Sequence, residues 1–153
     1  MKMGGILLCG GYGSRLFPTT KYINKHLIPI YDKPMIYYSL STLLLAGMRD
    51  ITIVCDPKDI DAFKKLLGNG EEFGVEINYS LQDAPSGISD AISKALDVSQ
   101  YEKFITVLGD NFIFGQNFLT RDFLNTYTCI YIINSHFAMK LPVGFHPCAE
   151  LIQ

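Results

Sequence analysis

Short apolar runs alternate with stretches of helical period along this chain, and that alternation narrows the possible fold more than any other feature. Gly5-Ile6-Leu7-Leu8, Ile51-Thr52-Ile53-Val54-Cys55, Val75 to Tyr79, Phe104-Ile105-Thr106-Val107-Leu108 and Cys129 to Ile133 all have strand length. The run at 51–55 is continuously apolar, as in a strand buried on both faces of a parallel sheet. Between the runs, Ile36 to Ala46 reads as a helix ended by Gly47. Asp56 can cap a second helix whose first position is Pro57, with Ile60, Phe63 and Leu67 as its apolar stripe and Gly68 as its stop. Ser80 to Ser86 reads as a polar loop, and Ile88, Ala91, Ile92, Ala95 and Leu96 give a third, amphipathic helix. Strand, helix, strand in succession requires right-handed crossovers, hence an α/β fold with a parallel sheet covered on both faces.

Composition bounds the rest. A length of 153 residues suits one domain, with 48% hydrophobic and 18% charged residues and a net charge of −2. Lysine and arginine are scattered, which argues against a nucleic-acid partner. Leu43-Leu44-Leu45-Ala46 is far too short to span a bilayer, so no membrane partner is expected. Met1-Lys2-Met3 runs straight into a strand without a signal-peptide core. Cys9, Cys55, Cys129 and Cys148 have no C-x-x-C spacing and read as reduced thiols of a cytoplasmic protein.

Ligands of open α/β sheets sit at the carboxyl ends of the strands, and three loops lie there. In Cys9-Gly10-Gly11-Tyr12-Gly13-Ser14-Arg15 the glycines can aim several N–H groups at one anion, and Arg15 adds a forked donor suited to phosphate. In Leu81-Gln82-Asp83-Ala84-Pro85-Ser86-Gly87, the Gln82 amide and Gly87 could read a nucleobase edge. In Gly109-Asp110-Asn111, the carboxylate could hold a hard cation such as Mg²⁺. Lys25 could carry charge back toward phosphates. Taken singly, the glycine loop reads equally well as a tight turn, whereas Gly109-Asp110-Asn111 is more often a plain turn, Gln82 more often a loop amide and Lys25 more often a solvated lysine. His26 is expected to be partly exposed and without a role.

The segments Leu8 to Thr20, Lys25 to Tyr38, Leu66-Leu67-Gly68-Asn69-Gly70, Gln82 with Pro85-Ser86-Gly87-Ile88, and Leu108-Gly109-Asp110-Asn111 together resemble the sugar-1-phosphate nucleotidyltransferase family. The resemblance implies a Rossmann-like three-layer sandwich. It implies that dTTP or UTP and a sugar 1-phosphate, such as glucose 1-phosphate, are joined with release of pyrophosphate. Leu8, Gly10, Gly11, Gly13 and Ser14 would hold the nucleotide, and Arg15 its phosphates. Lys25 would act where the two substrates meet, Gln82, Pro85 and Gly87 would bind the pyrimidine, and Asp110 would bind Mg²⁺. A homo-oligomer is also implied.

Several positions depart from the family pattern. Cys9 and Ser14 stand for alanine and threonine, Tyr12 should point outward, His26 replaces glutamine, and Ser89-Asp90 replaces Leu-Ala. His146 falls where a glycine near the sugar belongs. Family members are longer, so the resemblance implies a chain truncated at its carboxyl end, rich in nucleotide contacts and poor in sugar contacts. A fragment of a full enzyme, a short enzyme completed by dimerisation, and an inactive nucleotide-binding protein with a regulatory role all fit that outline; the transferase is the reading taken here. A glycosyltransferase would want Asp-x-Asp at a strand end, where Asp110 is instead followed by Asn111 and Phe112, and a mononucleotide kinase would want Gly-Lys-Ser/Thr after the glycine loop, which does not follow it.

Overall fold

The structure, a computed structural model, describes residues 2–84 and 86–112, together with the backbone of two strands at 129–132 and 138–141. Strand β1 (Met3–Leu8) is followed by three 3₁₀ turns and a small hairpin, β2 (Pro29–Ile30) with β3 (Lys33–Pro34). Then come α1 (Met35–Leu45), β4 (Asp50–Cys55), α2 (Ile60–Leu67), β5 (Glu76–Leu81), α3 (Ile88–Ser99), β6 (Lys103–Leu108), β7 (Cys129–Ile132) and β8 (Ala138–Leu141).

Six of the strands form one sheet in the order β5-β4-β1-β6-β7-β8. Gly5 lies opposite Ile51 on one side and Ile105 on the other, both in parallel register, and only β8 runs antiparallel, to β7. The chain winds outward from β1 through β4 to β5, then returns to the other side of β1 as β6. Strand order therefore reverses between β1 and β6, and the crevice above their carboxyl ends is the position where such sheets bind ligands.

Side-chain alternation along each strand divides the core into two layers. Leu7, Ile51, Ile53, Ile105 and Val107 meet Ile36, Leu40 and Leu43 of α1 and Phe63 and Leu67 of α2. Ile6, Leu8, Val54 and Phe104 meet Ala91, Ile92 and Ala95 of α3 on the opposite face. The molecule is thus the expected three-layer, mostly parallel Rossmann-like sandwich. Burial of each of the large apolar side chains among these contributes about 1.5–3 kcal/mol; the central strands also bury two threonines, Thr52 and Thr106.

Three expectations need adjusting. Asp56 does cap, accepting the Lys58 N–H at 3.1 Å, but Pro57 opens a 3₁₀ turn (Pro57–Asp59) and the α-helix begins only at Ile60. The third strand continues through Ser80 and Leu81, because its backbone stays paired with Val54 and Cys55. The β2–β3 hairpin has no counterpart in the apolar periodicity; its two-residue strands are too short to show one. Pro85, Cys148 and His146, and the side chain of Cys129, lie outside the described residues. Among the described residues, no helix is long and apolar enough to cross a membrane.

Candidate nucleotide site

The glycine loop leaves β1 under tight backbone control. Cys9 N–H still donates to Val54 O at 2.8 Å, so the chain turns only at Gly10. Gly11 and Gly13 take φ values of 101° and 58°, conformations that L side chains rarely adopt, and the loop closes into a 3₁₀ turn, Ser14–Leu16. The Thr20 hydroxyl donates to Gly13 O at 2.8 Å and pins the far end.

Asn24 sets the position of Lys25. Its Nδ2 donates to Cys9 O (3.2 Å) and to Asp59 Oδ2 (2.7 Å), while its Oδ1 accepts the His26 N–H (3.0 Å) and faces the ring Nδ1 at 2.7 Å. One buried amide therefore clamps the glycine loop, the start of the second helical segment and the turn Lys25–Leu27. From that turn, Lys25 Nζ reaches Asp110 Oδ2 at 2.6 Å. Asp110 is placed by β6, whose extension continues as far as the Gly109 N–H, donated to Leu8 O at 2.8 Å. Burial works against ionisation of Asp110, but the hydrogen bond and charge of Lys25 outweigh it and hold the carboxyl below its usual range.

His26 is the main correction. It is 1% exposed, and burial, reinforced by the Lys25 charge, drives its pKa down to about 3. Its ring packs on Gly109 beside Cys9: a Cβ on Gly109 would sit 2.5 Å from His26 Cδ2 and 2.9 Å from Cys9 Sγ. The local clue was Asn24 two residues earlier, a spacing at which an amide caps the following turn. Its burial, however, comes from residues far away in sequence.

These groups surround a cavity of about 280 Å³ above the β1–β6 reversal. Leu8, Gly10, Gly11 and Lys25 line it on one side, and Gln82, Gly87 and Asp110 elsewhere, so three loops distant in sequence converge. Gly13, Ser14 and Arg15 do not line it; Ser14 and Arg15 are exposed on the turn beyond. Val54, Ile88 and Ala91 give the cavity an apolar floor that motif reading missed, because they read simply as core residues. Tyr12 points outward, 65% exposed, as expected.

Cys9 and Cys55 are both fully buried, as expected of inert thiols, and are free. Burial is the leading reason that the Cys9 thiol is pushed well up and that of Cys55 up to about 12. Both should resist iodoacetamide in the native protein and react after unfolding, read by peptide mass mapping; rapid native labelling of either would contradict this packing.

Comparison with known proteins agrees with the geometry. The nucleotidyl transferase family model matches residues 4–125. The chain is 47% identical over 116 residues to a glucose-1-phosphate thymidylyltransferase of Neisseria meningitidis, covering 76% of this chain and 40% of that protein. A protein of the same name from Mycobacterium tuberculosis is 47% identical over 113 residues, covering 74% and 39%. A crystal structure from Bacillus anthracis, designated a glucose-1-phosphate thymidylyltransferase and containing sucrose, superposes with a TM-score of 0.67 at 40% identity over 71% of this chain and 44% of that one. UDP-glucose pyrophosphorylase complexed with UDP-glucose gives a TM-score of 0.59 at 25% identity, covering 72% and 46%. The chain thus spans about 40% of the length of the curated relatives it matches. With the strand order, the glycine loop and the matched residues in agreement, the chain belongs to the nucleotidyl transferase family.

Proposed function

We propose that this chain provides the nucleotide-binding half of a reaction that joins dTTP or UTP to a sugar 1-phosphate, such as glucose 1-phosphate, and releases pyrophosphate. The observation that carries the reading is the meeting of Lys25 and Asp110 at 2.6 Å in the cavity at the strand-order reversal, beside the glycine loop. The names of the relatives, glucose-1-phosphate thymidylyltransferase and UDP-glucose pyrophosphorylase, support the substrate class.

The chemistry asks for no nucleophilic side chain. A phosphate monoester has a second pKa of about 6 and is largely dianionic at neutral pH. One of its oxygens forms the new bond to the α-phosphorus of the triphosphate, the bond from that phosphorus to the β-bridging oxygen breaks, and pyrophosphate leaves with that oxygen. The protein aligns the reactants and places positive charge beside the phosphoryl oxygens. Gly10, Gly11, Gly13, Ser14 and Leu8 hold the nucleotide, Gln82, Pro85 and Gly87 take the base, Lys25 neutralises charge at the reacting phosphates, and Arg15 contacts the phosphates from the turn.

Mg²⁺ fits the donor set. Among the described residues no three His, Cys, Asp or Glu side chains cluster as a metal cage. Mg²⁺ commonly uses one or two carboxylates and completes its shell with water and substrate phosphates. Asp110, ionised and facing the cavity, is such a carboxylate. The ion would supply charge neutralisation on the phosphates. Residues 1–153 act as one nucleotide-binding domain in this reading, in a cytoplasmic homo-oligomer.

The test is pyrophosphate release from dTTP, or UTP, with glucose 1-phosphate and Mg²⁺, paired with calorimetric titration of the chain with dTTP. Release requiring both substrates is the expected result. A chain that neither releases pyrophosphate nor binds either triphosphate would end this reading.

A further inference from the structure

Resting on the nucleotide reading, we propose that Asp90 is a positioning residue that fixes the orientation of the Gln82 amide. The cavity then presents a hydrogen-bond acceptor to the base and selects thymine or uracil against cytosine. Gln82 follows β5 directly, its N–H donating to Cys55 O at 2.9 Å, and its side chain is 8% exposed in the cavity wall. Its Nε2 donates to Gly87 O at 3.1 Å and to Asp90 Oδ2 at 2.8 Å. A backbone carbonyl and a carboxylate can only accept, so both amide hydrogens are committed to this side. Turning the amide over would set Oε1 against two acceptors.

Oε1 consequently faces the other way, toward Gly10, where a Cβ would come within 3.3 Å of it. Gly10 lines the same cavity. Thymine and uracil carry an N3–H that can donate to such an oxygen. Cytosine has a bare acceptor at N3, and two acceptors brought together in a dry pocket lose a hydrogen bond and leave polar groups unpaired. With its amide free to turn, the same glutamine could donate to cytosine instead. Gln82 thus supplies the contact, and Asp90, in the first turn of α3, adds the shorter of the two bonds that remove the choice.

Dissociation constants for dTTP and dCTP, measured on the wild-type chain and on Asp90→Ala and Asp90→Asn, decide the matter. Both variants remove the carboxylate charge from the start of α3, but only asparagine keeps an oxygen that can accept from Gln82 Nε2. Asp90→Ala should reduce the dTTP-over-dCTP preference by about tenfold, and Asp90→Asn should restore most of it. Of the two side-chain amide protons of Gln82, the one held by Asp90 should lose its hydrogen-bond protection in the alanine variant alone. A preference unchanged in Asp90→Ala, or lost equally in both variants, overturns the proposal while leaving the nucleotide reading intact. A wild-type chain that binds neither triphosphate defeats the nucleotide reading, and this inference with it.

Discussion

Lys25→Ala should lower the rate of pyrophosphate release by about a hundredfold or more while leaving the fold standing. Loss of one preorganised charge at a site of developing negative charge commonly has an effect of that order. The structure adds a second reason. Lys25 Nζ sits 2.6 Å from Asp110 Oδ2, so the alanine variant removes the cation and leaves the carboxylate facing anionic phosphates without its partner. Lys25→Arg keeps the charge but changes the donor from a point to a plane, and should recover only part of the rate. Stability is expected to move little. The pair is partly open to solvent, with side-chain exposures of 21% and 38%, and such pairs contribute about 1 kcal/mol or less. Steady-state rates read beside a urea unfolding curve separate these effects. A variant with near-normal turnover would take Lys25 out of the chemistry.

Gly109→Ala should act in the opposite way, through the fold. Its added methyl would fall 2.5 Å from His26 Cδ2 and 2.9 Å from Cys9 Sγ, well inside van der Waals contact. Neither neighbour has room to withdraw. His26 is 1% exposed and tied to Asn24 through both its backbone N–H and its ring, and Cys9 is fully buried with its N–H bonded to Val54 O. Overpacking of this kind costs about 1–3 kcal/mol, and the upper end is expected where the neighbouring side chains cannot move. Displacement of the His26 turn would also shift Lys25 away from Asp110, so triphosphate affinity should fall together with stability. Denaturant midpoints provide the measurement. A midpoint equal to that of the wild type would show slack around the His26 ring that this packing does not contain.

Much of the site could be read along the chain because its signals are local. The glycines at 11 and 13 are needed where the backbone itself takes positive φ. The apolar runs that become β1, β4 and β6 reflect burial from both faces, a property of a few consecutive residues. Asp110 and Gln82 could be placed near a ligand because both lie within two residues of a strand's end, and the carboxyl edge of a parallel sheet is where ligands bind.

Long-range packing decided what those signals could not. Local pattern does not state strand order, so only the sheet shows that β1 and β6 flank the reversal and that Lys25 meets Asp110 across 85 residues of chain. His26 reads as partly exposed, since nothing beside it in sequence predicts that Gly109 and Cys9 will close over its ring. Local pattern also does not tell that Lys25 lines the cavity while Arg15 stands on the turn Ser14–Leu16 beyond it. A glutamine in a loop has no intrinsic facing; here Asp90 and Gly87 choose it. Which residue types stand at each strand end is legible along the chain, because turns, strand length and apolar periodicity are short-range properties. Which of them share a cavity, and with what orientation, was decided by tertiary structure alone, because burial and hydrogen-bond partnership depend on residues brought together only when the sheet assembles.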